Sequence, residues 1–402
     1  MKKYCNKNRK SVSIFNVLWQ RCMAVITVCA VAVAVSTPVA YAEKTTAVSS
    51  APVPECRSAV LMEASTGKIL YEKNADEALP PASVTKIMTL LLIMEAIEAG
   101  QINYTDMVSA SAHACSMGGS QIYLKEGEQM SVEDLIKSVV ISSANDAAVA
   151  LAEYVSGSEE AFVSQMNERA RQLGMKNTSF ENTNGLDDTA KAHFTSAMDI
   201  AIMSRELITH KKITEYSSIW MDTIRDGSFG LTNTNRLVRF YKGATGLKTG
   251  STSKAGFCIS ATAERDGLSL ICVIMGASTR DTRNSAAMAL LDWGFANFAV
   301  YSSPTVELEG IRVLGGKKNE CALEYEPLSC IVDKKSASSI EYSVELPEAL
   351  TAPVKKGDII GKIKYSAGGN EIGSINIYAK EDIGKIRFYD VFLMIICAIS
   401  IN

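Results

Sequence analysis

Histidine is scarce in this chain of 402 residues, with three in all, and neither His113, His193 nor His210 stands in a recognisable Ser-His-Asp context. A nucleophilic serine here would need another base. Of ten cysteines, three fall in the first 42 residues; the other seven are odd in number and show no C-x-x-C spacing. A disulfide framework and a zinc site are both unindicated, and no metal or cofactor is expected. Cys258 and Cys272 read as buried filler in apolar strands, whereas Cys321 and Cys330 could pair, which their order in the chain leaves open. There is no basic excess, with 41 Lys and Arg against 44 Asp and Glu, so a nucleic acid is not an expected partner.

Acid is missing altogether from residues 1–42, which carry Lys2, Lys3, Lys7, Arg9, Lys10 and Arg21. An apolar run from Cys22 to Val35 and an Ala40-Tyr41-Ala42 end complete the pattern of a signal peptide for export. An uncleaved anchor is the alternative, although the run is short for a span. Removing six of the 41 basic residues leaves 35 against 44 acids, a formal charge of −9. The remaining 360 residues suffice for two domains. Residues 43–55 read as a flexible leader.

The stretch that organises the rest is Pro80-Pro81-Ala82-Ser83-Val84-Thr85-Lys86, followed by Ile87 to Ala99. Two prolines suit a helix entry, and Gly100 suits its stop. The helix is apolar on nearly every side and should run through a core. Ser83 and Lys86, three apart, are neighbours on one face. A lysine there reaches a polar cleft or is pushed toward its neutral form, and a neutral amine beside a hydroxyl is a base with its nucleophile. A capping serine with a snorkelling lysine is the alternative.

Residues 58–73 read as a hairpin, and Ser131 as the cap of a helix through Val140. Ser143-x-Asn145 occupies a tight connection before another apolar helix, with the loop Ser116–Ser120 as a possible cleft wall. Helices are expected over 159–173, 196–208 and 282–299. Lys248-Thr249-Gly250 lies on or just before a strand, where glycine would let a ligand approach the backbone. The ribbon 257–263 and 268–275 is apolar on both faces and implies a central sheet covered on both sides. From 305 to 380, short alternating segments imply a small all-β domain of the sandwich type. Residues 383–402 end in an uncharged run from Val391 to Ile401, too short to cross a bilayer and suited to an interfacial anchor; a buried terminal helix is the alternative.

Ser83-x-x-Lys86, Ser143-x-Asn145 and Lys248-Thr249-Gly250, in that order, form the signature of penicillin-binding proteins and class A β-lactamases. Pro80 to Thr89, Ser142 to Ala148, Asn182-Thr-Asn-Gly-Leu and Gly246 to Phe257 closely resemble the D-alanyl-D-alanine carboxypeptidases, strongly over about residues 56–300. The resemblance implies an α/β (α+β) catalytic domain with a central antiparallel sheet flanked by helices. It implies an exported serine peptidase, active on peptidoglycan stem peptides ending in D-Ala-D-Ala and bound by β-lactams. Its place would be the outer face of the cytoplasmic membrane, held to that surface by the C-terminal segment. By the same resemblance, Ser83 attacks, Lys86 takes its proton, and Ser143 relays a proton to the leaving amine. Asn145 holds the substrate amide, Lys248 and Thr249 meet the terminal carboxylate, and the N–H groups of Ser83 and Ser251 form the oxyanion hole. Ser251 follows Gly250 where relatives vary. A class A β-lactamase would require a deacylating glutamate, and the context of Glu181 does not match that family. The same three motifs would also serve a transpeptidase, an endopeptidase or a non-catalytic β-lactam sensor.

Overall fold

In the computed structural model, which describes residues 50–187 and 190–400, the chain opens with Ser58–Glu63 (β1) and Ile69–Lys73 (β2), the expected hairpin. The expected signal segment and most of the leader lie outside the described residues. A single 3₁₀ turn, Ala82–Thr85, leads into Lys86–Glu98 (α1). The helix stops at Gly100, whose φ of +70° a residue with a Cβ rarely adopts. Val132–Ile141 (α2) begins where the Ser131 hydroxyl accepts the Asp134 N–H, with Glu133 and Asp134 in the first turn, favourable to the helix dipole. Asn145–Ser156 (α3), Glu159–Gln172 (α4) and Ala197–Leu207 (α5) follow, the last two capped by Ser158 and Ser196. Next come Ala244–Thr252 (β3), Gly256–Arg265 (β4), Leu268–Ala277 (β5) and Arg280–Asn297 (α6).

The five strands form one antiparallel sheet in the order β2-β1-β5-β4-β3. Alternate residues of each strand serve different cores. Val60, Met62, Val273 and Met275 join the core built on α1, α2, α3 and α5, while Ala59, Leu61, Cys272 and Ile274 meet Ala287, Leu290 and Leu291 of α6. This double burial is why both ribbon arms are almost continuously apolar. Ile87 through Leu91, Ile93 and Met94 are all buried, so α1 runs through the larger core rather than over it. Burying each large aliphatic side chain is worth about 1.5–3 kcal/mol.

Phe298–Ser302 (β6) pairs antiparallel with Ser329–Asp333, joining the half that holds the five-stranded sheet to the β half through strand pairing. Beyond it lie a three-stranded and a four-stranded sheet, each with its own small core, one around Cys321 and Ile383 and one around Ile363, Tyr365 and Ile377. Cys321 and Cys330 are both free thiols, so the pairing left open by the sequence does not occur. The expected domain limits shift at both ends. β6 pairs before residue 305, and Ile383, buried and bridged to Val354, belongs to the β half rather than to the tail. The tail is the helix Phe388–Ser400 (α7); Phe388 and Tyr389 are exposed, and among the described residues no helix is long and apolar enough to cross a membrane.

Candidate active site

The turn before α1 holds Ser83 half-buried at the edge of a cleft of about 620 Å³, with Lys86 one helical step behind it and buried. Lys86 Nζ lies 3.0 Å from Ser83 Oγ, 2.5 Å from Asn145 Oδ1 and 2.7 Å from the Asn184 carbonyl. A neutral amine has two hydrogens and one lone pair. The two oxygens that can only accept, on Asn145 and Asn184, take the hydrogens, and the lone pair is left to the Ser83 hydroxyl. Burial, and then the charge on Lys248, hold the Lys86 ammonium well below the usual lysine range, against a smaller opposing pull from Asp146. The Asp146 carboxylate is occupied by the N–H groups of Ile122, Leu124 and Ala147 and makes no ion pair with either lysine.

Ser143 sits between α2 and α3 at φ +62°, and its Oγ accepts a hydrogen bond of 2.8 Å from Lys248 Nζ. With that donor in place, the Ser143 hydrogen is free to be given elsewhere. Asn145 is 2% exposed. Besides meeting Lys86, it donates from Nδ2 to the Gly118 carbonyl at 2.6 Å and from its backbone to Ser120, tying Lys86 to the Ser116–Ser120 wall. The side chain expected to hold the substrate amide is thus engaged within the protein on two of its contacts.

β3 forms the opposite wall. Lys248 Nζ is buried and donates to Ser143 Oγ and to the Thr249 carbonyl, both at 2.8 Å; burial, and then Arg283, bring its pKa down to about 7. Thr249, Gly250 and Ser251 line the cleft, while Lys248 stands behind its wall. A Cβ on Gly250 would lie 2.7 Å from the Ser83 nitrogen and 2.9 Å from that of Val84. The close approach that this glycine permits is therefore between the strand and the backbone of Ser83 and Val84. Ser251, the next residue, lines the same cleft as Ser83.

Arg236, Arg280 and Arg283, with Trp220, Thr234 and Phe240, also line the cleft, and none of them belongs to a motif that the sequence displays. Arg283 is buried and donates to Asn284 Oδ1 and the Cys258 carbonyl. Among the described residues none of the three arginines is in an ion pair, so the cleft is cationic and suits an anion. The polar run Asn233-Thr234-Asn235-Arg236 could have signalled part of this: Asn235 Nδ2 donates to the Gly246 carbonyl and pins the run on β3. Arg280 and Arg283 arrive with α6 and have no local signal. The histidines stay out of the centre: His113 meets Glu159, His210 meets Glu98, and His193 meets Thr85 rather than Ser83. Glu181 accepts the N–H groups of Lys191 and Ala192. No group of three or more His, Cys, Asp or Glu among the described residues could hold a metal.

A family model described as D-alanyl-D-alanine carboxypeptidase matches residues 44–279, and one for the C-terminal domain of penicillin-binding protein 5 matches residues 295–385. The chain is 41% identical to D-alanyl-D-alanine carboxypeptidase DacF of Bacillus subtilis (strain 168) over 358 residues, covering 87% of this chain and 92% of that protein. It is 36% identical to DacC of Escherichia coli (strain K12), over 88% and 90% of the two chains. Penicillin-binding protein 5 from Haemophilus influenzae superposes with a TM-score of 0.72 at 34% identity, over 83% of this chain and 99% of that one. With Ser83 backed by a buried Lys86, a facing Ser143 and a cationic wall in one cleft, and these likenesses along both halves, the chain belongs to the D-alanyl-D-alanine carboxypeptidase family of penicillin-binding proteins.

Proposed function

We propose that the protein removes the terminal D-alanine from peptidoglycan stem peptides through an acyl-enzyme on Ser83, and that β-lactams inhibit it by acylating the same oxygen. The observation that carries this is the Lys86 amine, buried without a carboxylate partner and 3.0 Å from Ser83 Oγ. Lys86 takes the Ser83 proton as Oγ bonds to the carbonyl carbon between the two D-alanines. The N–H groups of Ser83 and Ser251 receive the developing oxyanion, where preorganised donors contribute a large share of catalysis. Ser143, its oxygen held by Lys248, hands its hydrogen to the leaving amine and takes in exchange the proton that Lys86 removed from Ser83, so that Lys86 and Ser143 both end the step neutral. Collapse breaks the C–N bond, D-alanine leaves, and water releases the shortened peptide by the reverse proton path. Thr249 and the cationic wall supply the site for the free carboxylate that a carboxypeptidase must read. Export through residues 1–42 would put the enzyme outside the cytoplasmic membrane, and the apolar tail would hold it to the outer face.

Labelled penicillin should bind one equivalent per chain, with the label recovered on the Ser83 peptide, and Ser83→Ala should take up none. Released D-alanine should be measurable with a pentapeptide ending in D-Ala-D-Ala. Label on Ser143 or on any other residue would contradict the assignment.

A further inference from the structure

The nucleophile rides on a backbone position that its own local sequence does not favour. Ala82, immediately before Ser83, has φ +50°, a region that a residue with a Cβ enters at a cost, and it persists only where surroundings enforce it. Three groups enforce it here. The Ala82 carbonyl accepts the Thr85 hydroxyl at 2.8 Å, and Thr85 Oγ1 lies 2.8 Å from His193 Nε2. His193 Nδ1 in turn accepts the Glu181 N–H at 3.0 Å. Gly185, at φ +84°, presses on the same carbonyl so closely that a Cβ there would fall 1.9 Å from the Ala82 oxygen.

The protons in this chain of contacts have one consistent order. A backbone N–H can only donate, so Nδ1 carries no hydrogen; the neutral ring then has its hydrogen on Nε2 and gives it to Thr85 Oγ1. The Thr85 hydrogen is thereby directed to the Ala82 carbonyl. Thr85 and His193 are both buried, and Phe180 packs edge-on against the imidazole at 5.8 Å. The charged groups that bear on the ring are the Glu181 and Asp187 carboxylates; burial outweighs both and lowers the ring's pKa to about 4, so it is neutral near pH 7. The same segment serves the base, since the Asn184 carbonyl accepts from Lys86.

We propose that His193 is a positioning residue for acylation: by fixing the direction of the Thr85 hydroxyl, it holds the Ala82 carbonyl and so aims Ser83 Oγ at the scissile carbonyl. This rests on Ser83 being the acylated residue. His193 touches neither substrate nor nucleophile, so its effect belongs on the rate of bond formation rather than on initial binding.

The test is acylation by a fluorescent penicillin, followed to saturation so that the non-covalent dissociation constant and the acylation rate constant separate. Peptide mapping of the wild-type adduct comes first, because label away from Ser83 would overturn the reading on which the inference rests, independently of His193. With the label on Ser83, Thr85→Val and His193→Ala should each lose about 30–100-fold in the acylation rate constant, the scale of an ångström's misplacement. The dissociation constant should stay within about twofold, Thr85→Ser within about threefold of wild type on rate, and His193→Gln, which keeps a donor, should recover part of the loss. The double variant Thr85→Val/His193→Ala should lose no more than either single one, because both break the same chain. Folded Thr85→Val acylating like wild type, losses that multiply in the double variant, or a loss confined to binding would each overturn the proposal. Should His193→Ala fail to fold, the contrast between Thr85→Val and Thr85→Ser decides it.

Discussion

At the scale of single residues, Lys86 and Lys248 are two buried amines with no carboxylate in ion-pair distance among the described residues, and the fold tolerates them at a cost. For Lys248 the cost has a definite pH window. Its folded pKa is about 7 against an ordinary lysine value of 10.5, so between these the unfolded chain binds more protons and wild-type stability rises with pH. Lys248→Met should therefore be as stable as wild type or more stable by about 1–3 kcal/mol near pH 7. Its advantage should shrink as the pH approaches 10 in paired thermal melts, while peptidase activity falls at least about 100-fold. Lys248→Ala, compared on a peptide ending in D-Ala-D-Ala and on its C-terminal amide, tests how the carboxylate is read. Loss of the acid preference implicates Lys248 itself, whereas a slow enzyme that keeps it assigns the reading to Thr249 and the arginines. His193 has the lower window. Neutral when folded down to about 4 and protonated below 6.5 when free, it contributes up to about 3 kcal/mol that is fully present above pH 6.5 and lost as pH falls toward 4. Subtracting melts of His193→Gln from wild type across pH 4–7 should isolate that slope.

At the scale of elements, the site is made where three segments with different local rules meet: a 3₁₀ turn, a helix junction and a strand. The turn and the strand meet through close backbone contact at Gly250, and the Lys86 and Lys248 side chains tie both to the helix junction. Gly250→Ala should leave a folded sheet, because the strand φ there is ordinary, yet it must push the Ser83–Val84 nitrogens away. Acylation should slow by about 100-fold with a far-UV CD spectrum like wild type. The helices were legible because their caps are local: Ser131, Ser158 and Ser196 each accept the N–H three residues on. The turn conformations at Ala82 and Ser143 were not legible, since neither alanine nor serine advertises a positive φ, and the one at Ala82 is held by Thr85 and by Gly185 from a distant segment.

At the scale of the whole molecule, the β half and the tail are separable in principle, and the structure says where to cut. Ile383 closes one of the β-half cores and the Ile386 N–H donates to the Gly315 carbonyl, so a chain ended after Asp382 should unfold that half. A chain ended after Arg387 should keep it. That shorter protein should stay active and no longer sediment with membrane vesicles, while the full chain does. Sedimentation of both would place the membrane contact outside α7.

The chain order of Ser83-x-x-Lys86, Ser143-x-Asn145 and Lys248-Thr249-Gly250 was enough to read the family, because each motif is short-range chemistry written in adjacent residues. The two-sided sheet was equally legible, because burial on both faces leaves an unbroken apolar pattern in the strands. What the sequence left open was which polar groups line the cleft and which are buried behind them. Lys248 sits behind the cleft wall, Asn145 is tied to the base and the Gly118 carbonyl, and Arg236, Arg280 and Arg283 line the cleft from segments with no shared motif. Exposure and proton direction depend on what the rest of the chain packs against a residue. Only the tertiary structure, bringing α6, the 181–193 segment and the Ser83 turn to one place, decided them.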